Sequence, residues 1–286
     1  MGEGPPLLVA LTADVDADAN RAAPGRPDAV SPTGEATYVA CGEGLGILLE
    51  LLGELRLPAT FFWEARALER LAEREDALIE RVRSGGPFEN GCHGYEHEDF
   101  SGARGGVELD ATETRGRIER AGRTFESVFG RAPRGFRAPY CRLTNALEAA
   151  LAGLGYNYDS SRTRRPSSDW HLRPYRLEAS GLWEVALCRT RDGRGSPISG
   201  YLWQLFEGNR PAEDYLDLLR SLRAKCPGGL LPIALHPWHI VLSADGIALP
   251  REGTDAPATR LRRLLTAARG LEGIRFTTPA RHLAEV

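Results

Sequence analysis

Short apolar runs alternate with longer stretches of helical period along most of this chain, and that alternation limits the fold more than any other feature. Strands are expected at Leu7 to Ala13, Ala59 to Trp63, Glu89 to His93, Gly135 to Ala138, Tyr156 to Asp159, Leu182 to Cys188, Leu230 to His236 and Ile274 to Thr277. Helices are expected at Glu43 to Leu55, Ala65 to Arg83, Glu108 to Phe129, Thr144 to Leu154, Ala212 to Cys226 and Thr259 to Arg269. Repeated strand–helix units of this kind specify an α/β fold with a mainly parallel sheet, and their number suits a (β/α) barrel. The 286 residues suffice to bury a full core, and no internal repeat or linker divides them, so residues 1–286 read as one domain.

Several expected strands end in Asp, His or Arg, and the connections that follow are long, at about 17–42, 98–109, 162–180 and 240–258. Connections beyond about 12 to 15 residues in a compact domain are usually functional or disordered. In a (β/α) barrel the loops after the C-terminal strand ends build the active site. Composition narrows the chemistry. A net charge of −3 gives a polyanion no general attraction, so nucleic acid is not an expected partner. Lys225 is the single lysine, which leaves a Schiff-base mechanism one candidate. The 5 cysteines are an odd number with no C-x-x-C spacing, which argues against a disulfide framework and against a cysteine zinc site. No run approaches the roughly 20 apolar residues that span a bilayer. The apolar segment Leu7 to Leu11 is short and lacks a basic stretch ahead of it, unlike a signal peptide. A cytoplasmic protein without a membrane partner is the expectation.

Five segments could carry chemistry. In Thr12-Ala13-Asp14-Val15-Asp16, strand alternation points Asp14 and Asp16 the same way. Two carboxylates on one face need a cation or a hydrogen-bond network, or else they cap a turn. In Gly91-Cys92-His93-Gly94-Tyr95-Glu96-His97 the histidines stand four apart, a metal-ligand spacing, with helix capping as the alternative for either one. In Gly135-Phe136-Arg137-Ala138-Pro139-Tyr140 the arginine is placed to clamp a carboxylate or to sit on the surface. Asp159 closes the fourth segment, Tyr156 to Ser161, as an acid or an N-cap. The apolar run Leu230 to Leu235 ends at His236, a proton donor or a core histidine. Aromatic residues near the expected mouth, Trp63, Tyr95, Tyr140, Trp170 and Trp238, are candidates to stack on a sugar or flat ring, with core placement as the alternative. His171 and His239 are spare polar candidates, and His282 reads as structural.

Taken in order, these segments and Ala59-Thr60-Phe61-Phe62 resemble the metal-dependent polysaccharide deacetylase superfamily, carbohydrate esterase family 4 or NodB-homology, over most of the chain from Leu7 to about His239. The resemblance implies a distorted (β/α) barrel holding one divalent ion. Zinc comes first, with cobalt, nickel and iron compatible with the same ligand types. It implies Asp16, His93 and His97 as metal ligands and Asp14 as general base tuned by Arg137. It further implies the Tyr140 backbone N–H at the oxyanion and His236, tethered by Asp159, as general acid. The secreted sugar deacetylases read Thr-Phe-Asp-Asp-Gly at the first motif, whereas here Val15 separates the aspartates and no glycine follows. That form is similar to the intracellular branch with allantoinase-like and peptidoglycan-deacetylase-like proteins. The expected activity is therefore removal of an N-acyl group, acetyl first, from a soluble aminosugar-like or specialised metabolite. Opening of a cyclic amide or imide at the same centre is the alternative, and a silent binding module the third reading. The partner expected is a small amide; homo-oligomerisation is open, since the Ala17 to Tyr38 stretch could be a lid or could cross to a second subunit.

Overall fold

A computed structural model describes residues 4–31, 34–84, 86–167 and 170–286. Parts of the expected loops 17–42 and 162–180, namely residues 32–33 and 168–169, lie outside the described residues. Among the described residues the main sheet has nine strands. They are β1 (Leu7–Val15), β2 (Ala59–Trp63), β3 (Phe88–Cys92), β4 (Gly135–Phe136), β5 (Tyr158–Asp159), β6 (Tyr175–Arg176), β7 (Trp183–Glu184), β8 (Leu230–Leu235) and β9 (Ile274–Thr277). Their order is β8-β1-β2-β3-β4-β5-β7-β6, with β9 also paired to β1, and every pairing is parallel except that of β6 with β7. This is the distorted α/β barrel expected from the strand–helix alternation. Two of the expected strands, Ala59–Trp63 and Ile274–Thr277, coincide with the observed ones. The expected Leu182 to Cys188 strand divides into β7 and a separate strand, Leu187–Arg191. Beyond Glu184 the chain leaves its β5 neighbour and joins Thr163–Arg164 and Pro197–Ser199 in a small three-stranded sheet.

β1 is buried on both faces, which is why it reads as an apolar run interrupted only by Thr12 and Asp14. Its odd residues Val9, Leu11, Ala13 and Val15 join the outer core under the helices. On the other face Ala10 packs with Phe62, Tyr158, Val185 and Leu230 inside the curl of the sheet. Period two carries that face upward through Thr12 and Asp14 to Asp16, so the aspartates stand at the C-terminal rim above an apolar floor. Helices α1 (Val39–Leu55), α2 (Ala65–Arg74), α3 (Asp76–Ser84), α4 (Ala111–Phe129) and α5 (Asn145–Gly153) follow successive strands. The expected Ala65 to Arg83 helix is interrupted at Glu75, which leaves helical geometry at φ −139° and ψ 51°. α4 buries Thr114, Ile118, Ala121 and Phe125, one stripe of helical period, and begins with a capping box between Asp110 and Glu113. No helix among the described residues is long and apolar enough to cross a membrane.

Two close approaches position the site. α1 packs on the Pro237–Ile240 turn, and a Cβ on Gly44 would collide with the Pro237 carbonyl oxygen. We expect Gly44→Ala to lower stability by about 1–3 kcal/mol, the usual range for overpacking, read as a lower urea midpoint; an unchanged midpoint would show slack in this contact. At the other place, Gly200 and Tyr201 join β8 to the small sheet. The Gly200 N–H donates to the Cys188 carbonyl at 2.9 Å, and the Ala234 N–H donates to the Gly200 carbonyl at 2.8 Å. A Cβ on Gly200 would strike the Pro232 carbonyl oxygen, so only glycine allows this approach.

Candidate active site

The chain leaves β3 at Cys92, and His93 and His97 fall on the turn that follows, facing Asp16 at the end of β1. His97 Nε2 lies 3.2 Å and His93 Nε2 3.6 Å from Asp16 Oδ2. Asp16, His93 and His97 are all buried and offer ligand atoms within 4.8 Å of one another. For His93 and Asp16 the other polar side-chain atom is already committed. His93 Nδ1 is 2.7 Å from the Arg137 carbonyl oxygen, and a carbonyl can only accept, so Nδ1 carries the hydrogen and Nε2 presents a lone pair. Trp238 Nε1 donates to Asp16 Oδ1 at 2.9 Å, leaving Oδ2 turned toward the imidazoles. Asp16 Oδ2, His93 Nε2 and His97 Nδ1 are buried without a hydrogen-bond partner. Buried polar atoms are seldom left bare, and a carboxylate oxygen with imidazole nitrogens is a donor set that suits zinc and similar divalent ions. Thus the three residues fit a metal ion. His97 adopts φ 53°, in the left-handed region, a strain held by the surrounding loop. That loop is anchored by the buried Glu98, whose carboxylate accepts from the backbone N–H groups of Tyr95 and Glu96.

Beside this group sits Asp14. Arg137 donates from Nη1 to Asp14 Oδ1 at 2.8 Å, and both side chains are essentially inaccessible to water. Arg137 is itself fixed by Thr12 Oγ1 and by Ser160 Oγ and the Ser160 carbonyl, with its guanidinium over the Phe62 ring. Burial opposes ionisation of Asp14, but Arg137, aided by His93 and His236, outweighs it and holds the carboxyl below its ordinary range. The same balance applies to Asp16, where burial is overcome by the nearby imidazoles of His236, His93 and His97. His236 extends from the end of β8 with its ring stacked on Trp238 and Nε2 3.6 Å from Asp16 Oδ2.

A residue absent from the sequence reading links these groups. Tyr201 Oη donates to Asp14 Oδ2 at 2.7 Å and lies 2.9 Å from His236 Nε2. The tether expected from Asp159 is not what the structure contains. Asp159 accepts from the Ser161 N–H at 3.0 Å and from Ser161 Oγ at 2.6 Å. Its register partner on β7 is Glu184, so the two buried carboxyls share a face, and burial together with Asp159 pushes the Glu184 pKa well above the ordinary range. Two further carboxyls near the site also went unread. Asp18 accepts from the Ala40 and Cys41 N–H groups at 3.0 and 2.7 Å and caps α1. Glu64, just past β2, accepts from the Ala17 N–H and from Tyr38 Oη, and burial with the nearby Asp16 pushes its pKa well above the ordinary range.

These groups open into a cavity of about 670 Å³ lined by Asp14, His93, His97, Tyr140, Tyr201 and Trp203, together with His236 and Trp238. The first long loop adds Asn20 and Arg21 and the second adds Arg104. Of the aromatic candidates, Tyr140 and Trp238 line the cavity. Tyr140 sits at φ 58° with its ring edge-on to His97. Three others do not line it. Trp63 has the parity of Phe61, faces the outer core and packs on Phe129. Tyr95 turns toward α2 and α4, where its hydroxyl donates to Glu69 and Arg120 covers its ring. Trp170 is buried in the outer core with Nε1 donating to the Arg173 carbonyl. His239 is buried against Glu207, with Nε2 2.7 Å from the carboxylate.

Residues 44–158 match the family described as polysaccharide deacetylase. The chain is 28% identical over 193 residues to a peptidoglycan deacetylase from Helicobacter pylori, covering 64% of this chain and 61% of that protein. It is 28% identical over 131 residues to a peptidoglycan deacetylase-like protein from Gibberella zeae, covering 45% and 36% respectively. It thus spans less than two thirds of either relative. A solved structure described as a polysaccharide deacetylase from Mycobacterium smegmatis has a TM-score of 0.67 at 22% identity, over 100% of this chain and 91% of that one. The PuuE allantoinase structure has a TM-score of 0.66 at 18% identity, over 98% and 91%. Residues 44–158 thus match the polysaccharide deacetylase family model, and the chain has the fold of the solved polysaccharide deacetylase structures.

Proposed function

We propose that this protein is a metal-dependent amide hydrolase that removes an N-acyl group, acetyl in the first instance, from a small aminosugar-like or specialised metabolite. The observation that carries the reading is the meeting of Asp16, His93 and His97 with Asp14–Arg137 and His236 in one cavity. Asp16, His93 and His97 would hold a divalent ion, which when bound supplies Lewis acidity and lowers the pKa of a water. Asp14, kept ionised by Arg137, is the base that accepts a proton from the attacking water at a carboxylate oxygen. His236 stands on the far side of Tyr201 from Asp14 and delivers a proton to the leaving nitrogen as the carbon–nitrogen bond breaks. The products are a free acid and an amine. The fold alone does not decide activity, since a carbohydrate esterase family 4 pseudoenzyme from Bacillus anthracis has a TM-score of 0.53 with this chain at 14% identity, over 99% of this chain and 70% of that one; the presence of Asp14, His236, Asp16, His93 and His97 around one cavity is what supports the active reading here.

Protein reconstituted with zinc is to be incubated with N-acetyl sugars and with cyclic imides, with and without chelator. Chelator-sensitive acetate release supports the proposal, and ring opening without acetate supports the cyclic amide reading. Metal binding without turnover of either panel would leave only the binding-module reading. Tyr201→Phe keeps the ring and removes the hydroxyl that joins base and acid. We expect kcat to fall by about 10- to 100-fold with unchanged metal content, the loss of a hydrogen bond to a charged group. An unchanged kcat would exclude the hydroxyl from the reaction.

A further inference from the structure

The cavity at the metal-ligand group continues into two neighbouring depressions. One, of about 370 Å³, shares Cys141, Tyr201 and Trp203 with it and runs past Arg189. The other, of about 600 Å³, shares Cys141 and runs past Arg142, Arg162 and Arg164. With Arg21 and Arg104 at the central cavity, six arginines line the combined cleft, against one carboxylate, Asp14, which Arg137 already neutralises. The whole chain has 36 basic and 39 acidic residues, so composition does not produce this imbalance. Arg21 and Arg162 are paired, with Asp245 and Glu148. Among the described residues Arg104, Arg142, Arg164 and Arg189 have no carboxylate partner, and Arg164 lies against Trp170 and Tyr175. A cleft walled by one sign of charge concentrates ligands of the other, and the guanidinium fork matches carboxylate and phosphate oxygens.

From this we infer that the cleft beyond Cys141 receives an anionic arm of the substrate, a carboxylate or a phosphate carried a few bonds from the amide. The inference rests on the hydrolase reading and narrows its substrate class to acidic N-acyl compounds. Calorimetric titration of the zinc-loaded protein with N-acetylglucosamine, its 6-phosphate and N-acetylmuramic acid separates the neutral ligand from the phosphate and carboxylate forms. At least one acid should bind roughly tenfold more tightly than the neutral sugar, the gain of a charge-assisted contact. In the Arg142→Ala/Arg164→Ala variant that preference should shrink to within about twofold, since the two arginines of the larger depression that have no carboxylate partner are gone. Equal affinities, no binding by either acid, or a preference that survives in the variant would overturn the inference. A preference for an acid without acetate release from any of the three would instead count against the hydrolase reading and leave the anionic cleft standing.

Discussion

Asp14→Asn should leave a folded, metal-loaded protein whose kcat is about a thousandfold below the parent, the scale of a lost general base. Asn occupies the same volume; with its carbonyl oxygen toward Arg137 it keeps that hydrogen bond, and its amide can donate to the Tyr201 hydroxyl where the carboxylate accepted, so much of the hydrogen-bond frame survives. What disappears is the charge and the basic oxygen. Arg137 is wholly buried, and among the described residues Asp14 is its only carboxylate partner. Removing one member of such a pair is strongly destabilising, on the order of 3–5 kcal/mol, when nothing replaces it; the amide should keep the loss at the low end, and Asp14→Ala should show it in full. Metal content, urea midpoint and acetate release are measured on the same preparations. Turnover within a few-fold of the parent would strip Asp14 of the base role.

His93→Ala should abolish stoichiometric metal binding. Two ligand residues from one turn and a third just past β1 form the ligand group found among the described residues, and His93 is the one whose orientation is set by the Arg137 carbonyl. Loss of an outer hydrogen-bond partner alone weakens metal sites by about 10- to 100-fold, so loss of a ligand should exceed that range. Dialysis against a metal buffer followed by elemental analysis gives the result. Full occupancy in the variant would take His93 out of the ligand set and leave the centre to other donors. Because imidazole deletion also removes a buried side chain, His93→Gln is the companion variant; it should fold like the parent and still lose the metal.

Much of this site was legible because strands alternate. Asp14 and Asp16 two apart, at the end of an apolar run, had to share a face, whereas Asp18, in the turn beyond the strand, lies outside the reach of that alternation. That rule applied to Ala59–Trp63 would have sent Trp63 outward with Phe61 and spared it a place at the mouth. The His93–His97 spacing and the strand ends before Arg137 and His236 were likewise visible. Asp159 misled because a strand end shows that a carboxyl is near the rim and not which neighbour it meets; register with Glu184 decides that. Tyr201 had no signal at all. It belongs to no motif, and its link to Asp14 spans 187 residues of chain, set by a glycine that lets two backbones touch.

That glycine has an outcome for how the protein can fail. Gly200 and Tyr201 are the stitch between β8 and the small sheet, and the phenol that bridges Asp14 and His236 rides on the stitch itself. Loosening the wall there by a single register step would swing the phenol away while leaving the floor of the barrel packed. Damage to this seam should therefore surface as lost chemistry well before it surfaces as lost heat resistance.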